Sequence, residues 1–124
     1  MRIPDLSDIP SLEPVPAGEY DLRVISAKDV KSDRTGREGI MLICEVTGEE
    51  NAQNVFHRIW LPMEKDDQNK KDTMWRMVKE FLEALGLDAG EVETSDFEGL
   101  QFSAQLSLTK DNKGRDINEI VRVT

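Results

Sequence analysis

The chain has one cysteine, Cys44, and one histidine, His57, among its 124 residues. A lone thiol closes no internal disulfide. With a single imidazole beside it, it cannot assemble the Cys/His sets that hold zinc tetrahedrally. Carboxylate metal sites stay open on composition alone. Long apolar runs are also missing. The longest, Ile40-Met41-Leu42-Ile43-Cys44, is strand length, far short of the roughly 20 residues that span a bilayer. The opening Met1-Arg2-Ile3-Pro4-Asp5 has no continuous apolar stretch and does not read as a signal peptide. There is no phosphate-cradling Walker loop, no glycine-rich dinucleotide turn and no nucleophile elbow. No serine or cysteine is set beside His57 by a recognisable motif. The expectation is a soluble cytoplasmic protein that is not an enzyme and carries no cofactor or metal.

What is present suits one domain, with 38% apolar residues for one modest core. The net charge is −9, which taken globally argues against nucleic acid. Its distribution changes that. Residues 1–21 and 91–100 together hold nine of the 25 acids and one of the 16 bases, leaving 16 acids against 15 bases elsewhere. A local basic groove is compatible with that balance, and so is a merely solubilising acidic surface.

Residues 1–18 contain four of the five prolines, with scattered apolar residues, and read as an extended N-terminal arm. The domain proper is expected over 19–124. Tyr20, Leu22 and Val24 alternate with Asp21 and Arg23, the pattern of a half-buried strand. The doubled pair Val24-Ile25 suggests a bulge. Residues 28–39 are expected to form a polar hairpin loop, followed by strands at 40–47 and 54–61. Met74, Val78, Phe81, Leu82 and Leu85 form a helical stripe within 72–85, stopped by Gly86. Residues 63–71 are polar enough to read as a loop. Phe102, Ala104, Leu106 and Leu108 mark a fourth strand, residues 110–114 a turn, and 115–123 a fifth strand. The order β-β-β-α-β-β is that of an all-β fold with one helix, a five-stranded OB-fold Greek-key barrel.

Several segments also resemble a small family of phage and prophage proteins of uncharacterised-domain type, often labelled single-stranded-DNA-binding proteins. They are Pro16-Ala17-Gly18-Glu19-Tyr20 opening a strand, the second strand MLICEVTGE at 41–49, VFHRIWL at 55–61, the helix end LEALGL at 82–87, and FEGLQFSAQLSL at 97–108. The resemblance covers about residues 15–124. It implies an OB-fold that coats single-stranded DNA during replication or recombination in the cytoplasm of a bacterial host. Proteins of this kind often end in a flexible acidic tail that recruits partners, whereas this chain ends in the strand residues Ile120-Val121-Arg122-Val123-Thr124.

A sequence-tolerant single-strand binder needs cations along the backbone path and rings on which bases stack. OB-folds present both on strands 2 and 3 and on the loops joining strands 1–2 and 4–5. The first loop offers Lys28, Lys31, Arg34 and Arg37, and the second Lys110, Lys113 and Arg115: seven of the 16 bases against Asp29, Asp33 and Asp111. In the third strand Val55, His57, Ile59 and Leu61 share one face, and Phe56, Arg58 and Trp60 the other. On an exposed face the second set makes a stacking platform around a cation. Alternatively the two rings point inward or pack beneath the helix. Met41 and Ile43 would lie on the outer face of the second strand. Trp75 is expected to seal the barrel end and Cys44 to be a small buried hydrophobe. Asp66, Asp67, Asp111 and Asp116 read as solvated rather than as metal ligands.

Two functions fit. One is non-catalytic binding of single-stranded DNA. The other is a protein–protein adaptor in a phage replication or recombination complex, with phage or host proteins as partners, to which the acidic stretch 91–98 would contribute. An exposed edge strand would permit a homo-oligomer.

Overall fold

The computed structural model describes residues 1–88 and 90–124. The elements follow the expected order: strands β1 (Gly18–Lys31), β2 (Glu38–Val46) and β3 (Val55–Trp60), helix α1 (Gln68–Ala84), a 3₁₀ turn at Thr94–Phe97, and strands β4 (Gln101–Lys110) and β5 (Asp116–Val123). The strands form one sheet in the order β3-β2-β1-β4-β5, with every pairing antiparallel. The protein is thus an all-β fold with one helix. Among the described residues no ladder joins β3 to β5. The two edge strands nevertheless lie against each other.

β1 is long because it serves two neighbours. Its first half pairs with β4 and its second half with β2. The bulge falls at the doubled apolar pair: Val24 faces Cys44, yet Ser26 faces Ile43, so Ile25 is the extra residue. The bulge bends the strand and resets its alternation. Leu22 and Val24 point inward before it, and Ser26, Lys28 and Val30 fall on the outer face after it.

The core lies on the concave face, where Leu22, Val24, Leu42, Cys44, Val55, Ala104 and Leu106 are all almost completely buried. Burial pushes the Cys44 thiol up to about 12, so it is a packing group rather than a nucleophile. The surprise is Phe97, 1% exposed, which comes from the acidic stretch 91–98. The 3₁₀ turn presents it to the core. Glu93 donates its backbone N–H to Asp96 Oδ2 at 2.8 Å, which fixes the turn. The following backbone is stitched to the bulge, with Gly99 N–H donating to Val24 O at 2.8 Å and Val24 N–H to Leu100 O at 2.9 Å. The local signal was one aromatic ring among carboxylates, and only the packing shows which of the two dominates.

The helix begins four residues earlier than expected. Asp67 caps it, its carboxylate accepting from Lys70 N–H at 2.8 Å. Polar residues 68–71 therefore form its exposed first turn. They looked like loop because the apolar stripe starts only at Met74. The stop is the expected one: Gly86 has φ +80° and donates to Glu83 O, while Leu87 N–H reaches Leu82 O.

The N-terminal arm packs on the domain from Glu13 onward. Glu13 bridges to Ala52 and exchanges backbone hydrogen bonds with Asn51 and Gln53. Val15 is buried, and Asn118 of β5 grips it from both sides: its Oδ1 accepts from Val15 N–H at 2.8 Å and its Nδ2 donates to Val15 O at 2.8 Å. The segment 13–15 thus lies between the approach to β3 and β5, bridging the two sheet edges that share no ladder. The proline-rich composition showed an extended chain, but nothing local showed where it docks.

Candidate nucleic-acid interface

The register of β1, β2 and β3 builds one outward face. Phe56 lies opposite Ile43, Arg58 opposite Met41, and Trp60 opposite Gly39. On the other side of β2, Ile43 faces Ser26, Met41 faces Lys28, and Gly39 faces Val30. Cross-strand partners share a face, so Phe56, Arg58, Trp60, Met41 and Lys28 stand together. Phe56 is 50% exposed, Arg58 is exposed, and Trp60 is half-buried. Of the two readings of β3, the outward one fits Phe56 and Arg58, while the half-buried Trp60 borders a groove shared with α1. Val55 and Ile59 point into the core, and His57 turns under the helix, its ring 4.8 Å from that of Phe81.

Gly39 has a specific role here. A Cβ at this position would come within 2.6 Å of the Ile59 carbonyl and 2.7 Å of Trp60 Cε3. The missing side chain is what lets the Trp60 ring lie close over β2. Gly39 falls at the end of the loop expected over 28–39, and its place immediately before an apolar run is the local signal for a close backbone approach.

The basic residues distribute differently from expectation. Lys28 and Lys31 are strand residues, because β1 continues to Lys31 and the turn occupies only 32–37. Three positions apart on a strand, they point to opposite faces. Lys28 joins the Arg58 face across Met41, while Lys31 lines a separate hollow with Asp29, Glu38 and Glu93. Arg34 is exposed in the turn. Arg37 is a structural residue rather than a free phosphate ligand. Its guanidinium donates to Asp66 Oδ2 at 2.9 Å, to Asp66 Oδ1 at 3.3 Å and to Leu61 O at 2.9 Å. In the β4–β5 turn, Lys110 pairs with Asp116 at 2.7 Å and Arg115 with Asp111 at 2.9 Å, so two of its three cations are locally compensated. Lys113 is exposed there, and only its backbone N–H is engaged, by Asp111. The sheet register thus brings together Phe56, Arg58, Trp60 and Lys28, takes Arg37 away, and leaves Arg34 and the 110–115 group as turn cations. At the far end of the face Glu45 is neutralised by Arg23 at 2.6 Å.

The acids considered as metal ligands have other work. Asp66 serves Arg37 and the Met63 N–H, Asp67 caps the helix, and Asp111 and Asp116 pair within their turn. No group of three metal-ligating side chains occurs among the described residues. Trp75, expected to seal the barrel end, is 51% exposed and only borders a hollow between α1 and the sheet. No helix among the described residues is long and apolar enough to cross a membrane.

Two titrations give a testable pH dependence. Hydrogen bonds from Arg37 and from the Met63 amide hold the Asp66 carboxyl well below its ordinary value of 3.8. A depressed acid stabilises the fold above its unfolded pKa and stops doing so as pH falls. Burial holds His57 below 6.5. A depressed histidine is neutral in the fold and charged in the unfolded chain, so its contribution also fades as pH falls, beginning below 6.5. Stability is therefore expected to decline in two steps on acidification. Asp66→Asn should lower the thermal midpoint at pH 7 by about 5 °C and flatten the step below pH 4, leaving the step nearer pH 6 in place. An unchanged low-pH step, read by thermal scans across pH, would reject the Asp66 assignment.

The five-stranded antiparallel sheet with one helix thus carries on its outer face Phe56, Arg58 and Trp60 of β3 and Lys28 of β1. Residues 4–123 match the family described as protein of unknown function (DUF669), and the chain belongs to that family. No curated protein matches it.

Proposed function

We propose that this chain is an OB-type domain that binds single-stranded DNA without catalysis, in a phage replication or recombination setting. One observation carries the reading: on the outer face of β3 two aromatic residues, one half exposed and one half-buried, flank an arginine with no acidic partner among the described residues, and Lys28 lies two strands away. Bases stack on rings of any sequence context, and the cations take the phosphates. Two further features support it. The strand order, with β3 and β5 in contact at the sheet edges, supports a five-stranded Greek-key barrel of the OB type, a fold that binds oligonucleotides on its β2–β3 face. The phage setting rests on the sequence resemblance alone.

The net charge of −9 keeps the adaptor reading in play, and one titration separates the two. Labelled poly-dT at roughly 50 and 200 mM salt should bind, weaken steeply with salt, and be poorly displaced by duplex. Absence of binding at the lower salt would sink the proposal in favour of the adaptor. Displacement by poly-U at equal concentration would widen the ligand to RNA.

A further inference from the structure

The arm's apolar residues, scattered at first sight, recur every third position: Ile3, Leu6, Ile9, Leu12 and Val15. The last member, Val15, is buried, and Leu12 borders a hollow shared with Phe56 and Arg58. The first three are exposed at 76%, 55% and 67%. Leu6 and Ile9 are brought together by a turn, Ile9 N–H donating to Leu6 O at 3.0 Å. One end of a regular apolar series is therefore docked, while the other projects as a paired knob with Asp5 and Asp8 beside it.

A matching surface exists on the same molecule. Between β3 and α1 runs a groove of about 430 Å³ whose walls include Trp60, Met74, Met77, Val78 and Phe81. Met77 is 64% exposed and lies off the helix's core stripe, where a polar residue is expected. Arg58 at its margin is the groove's one charged side chain among the described residues, because burial keeps His57 below its ordinary value. Methionine-rich grooves repack readily around aliphatic ligands. Within a single chain both the knob and the groove remain uncovered.

We propose that the N-terminal arm docks into this groove on a second copy of the chain, Leu6 and Ile9 entering between Trp60 and Met77 and an arm aspartate facing Arg58. Exchange in both directions gives a two-fold, self-complementary contact. It covers both apolar surfaces and pairs Asp5 or Asp8 of an arm that carries three acids against one arginine with Arg58, which has no acidic partner among the described residues of its own chain. The inference does not rest on the nucleic-acid reading, and its test contains no nucleic acid.

The experiment is sedimentation equilibrium of the full chain over roughly 1–200 µM, beside two variants: Leu6→Ser with Ile9→Ser, and Met77→Glu. All three substituted side chains are exposed, so unchanged circular dichroism and thermal midpoint confirm that folding is intact. The wild type should form a dimer. Each variant should weaken it at least about tenfold, as expected from losing burial of one or two aliphatic side chains. Mixing the two variants should restore part of the association, because the arm of the Met77→Glu chain meets an intact groove on the other. A wild-type monomer throughout the range overturns the proposal, as does dimerisation indifferent to both variants. A concentration-independent shift of Trp60 fluorescence on changing the arm, in a monomer, would reassign the groove to the chain's own arm.

Discussion

Replacing Phe56 and Arg58 together with alanine should lower poly-dT affinity by about two orders of magnitude while leaving the thermal midpoint nearly unchanged. The magnitude follows from adding two contributions. Base stacking on a ring is worth roughly 1–3 kcal/mol per base, and a lost phosphate contact adds to it, so a total near 3 kcal/mol corresponds to about 100-fold. The two losses are separable. Phe56→Ala should shift affinity equally at all salt concentrations. Arg58→Ala should also flatten the logarithmic salt slope by about 0.7, the value for one phosphate on a single strand. Stability should hold because both side chains are exposed and Arg58 has no ion-pair partner among the described residues. Trp60→Phe, which preserves a ring over Gly39, should keep most of the affinity and remove most of the fluorescence response, since Trp75 lies outside this face. Full retention of binding in the double variant would place the ligand elsewhere, with Arg34 and Lys113 next to be tested.

The second large effect is on stability. Asn118 is the buried polar side chain of β5, and it makes three hydrogen bonds: two with Val15, and one from Nδ2 to Ser107 O at 3.1 Å. Alanine there leaves the Val15 amide and carbonyl without partners, each worth roughly 1–3 kcal/mol if it stays buried. The chain has an escape: segment 13–15 can detach, and water then satisfies the amide at the cost of exposing Val15. The net loss is expected at about 2–4 kcal/mol, read by urea unfolding. Proteases should begin to cut among residues 1–17 before the domain unfolds. A double-mutant cycle with Val15→Ala tests the coupling, because once the segment is free the second change should cost little more. Independent, additive losses would mean that Asn118 acts only through Ser107.

These expectations show how unevenly the chain can be read. The alternation of Tyr20-Leu22-Val24, the doubled Val24-Ile25, the Phe102-Ala104-Leu106 run and the Met74-to-Leu85 stripe each express a local periodicity, and local periodicity is what sequence carries most directly. They fixed strand count, bulge position, helix stop and element order. The division of β3 into two faces was also legible, whereas which of them turns outward is decided by the packing that keeps Val55 and Ile59 dry.

Other features depend on residues far apart in the chain. Arg37 looked like Lys28 and Arg34, three turn cations with equal claims, until the fold set Asp66 29 positions away against it. Lys28 and Lys31 looked like loop neighbours until the ladder with β2 continued through both and sent them to opposite faces. Leu108, in phase with a buried run, is 49% exposed. Phe97 sat in an acidic stretch and became a core residue because Val24 of β1 hydrogen-bonds the backbone at Gly99 and Leu100 and holds the turn that presents it. The sequence by itself determined the number and order of the strands and helix, most of the periodic core positions, and which side chains share each face of β3. Tertiary structure decided which charges are spent on one another and which remain for a ligand, because a charge's partner is set by the meeting of distant segments and leaves no periodic trace along the chain.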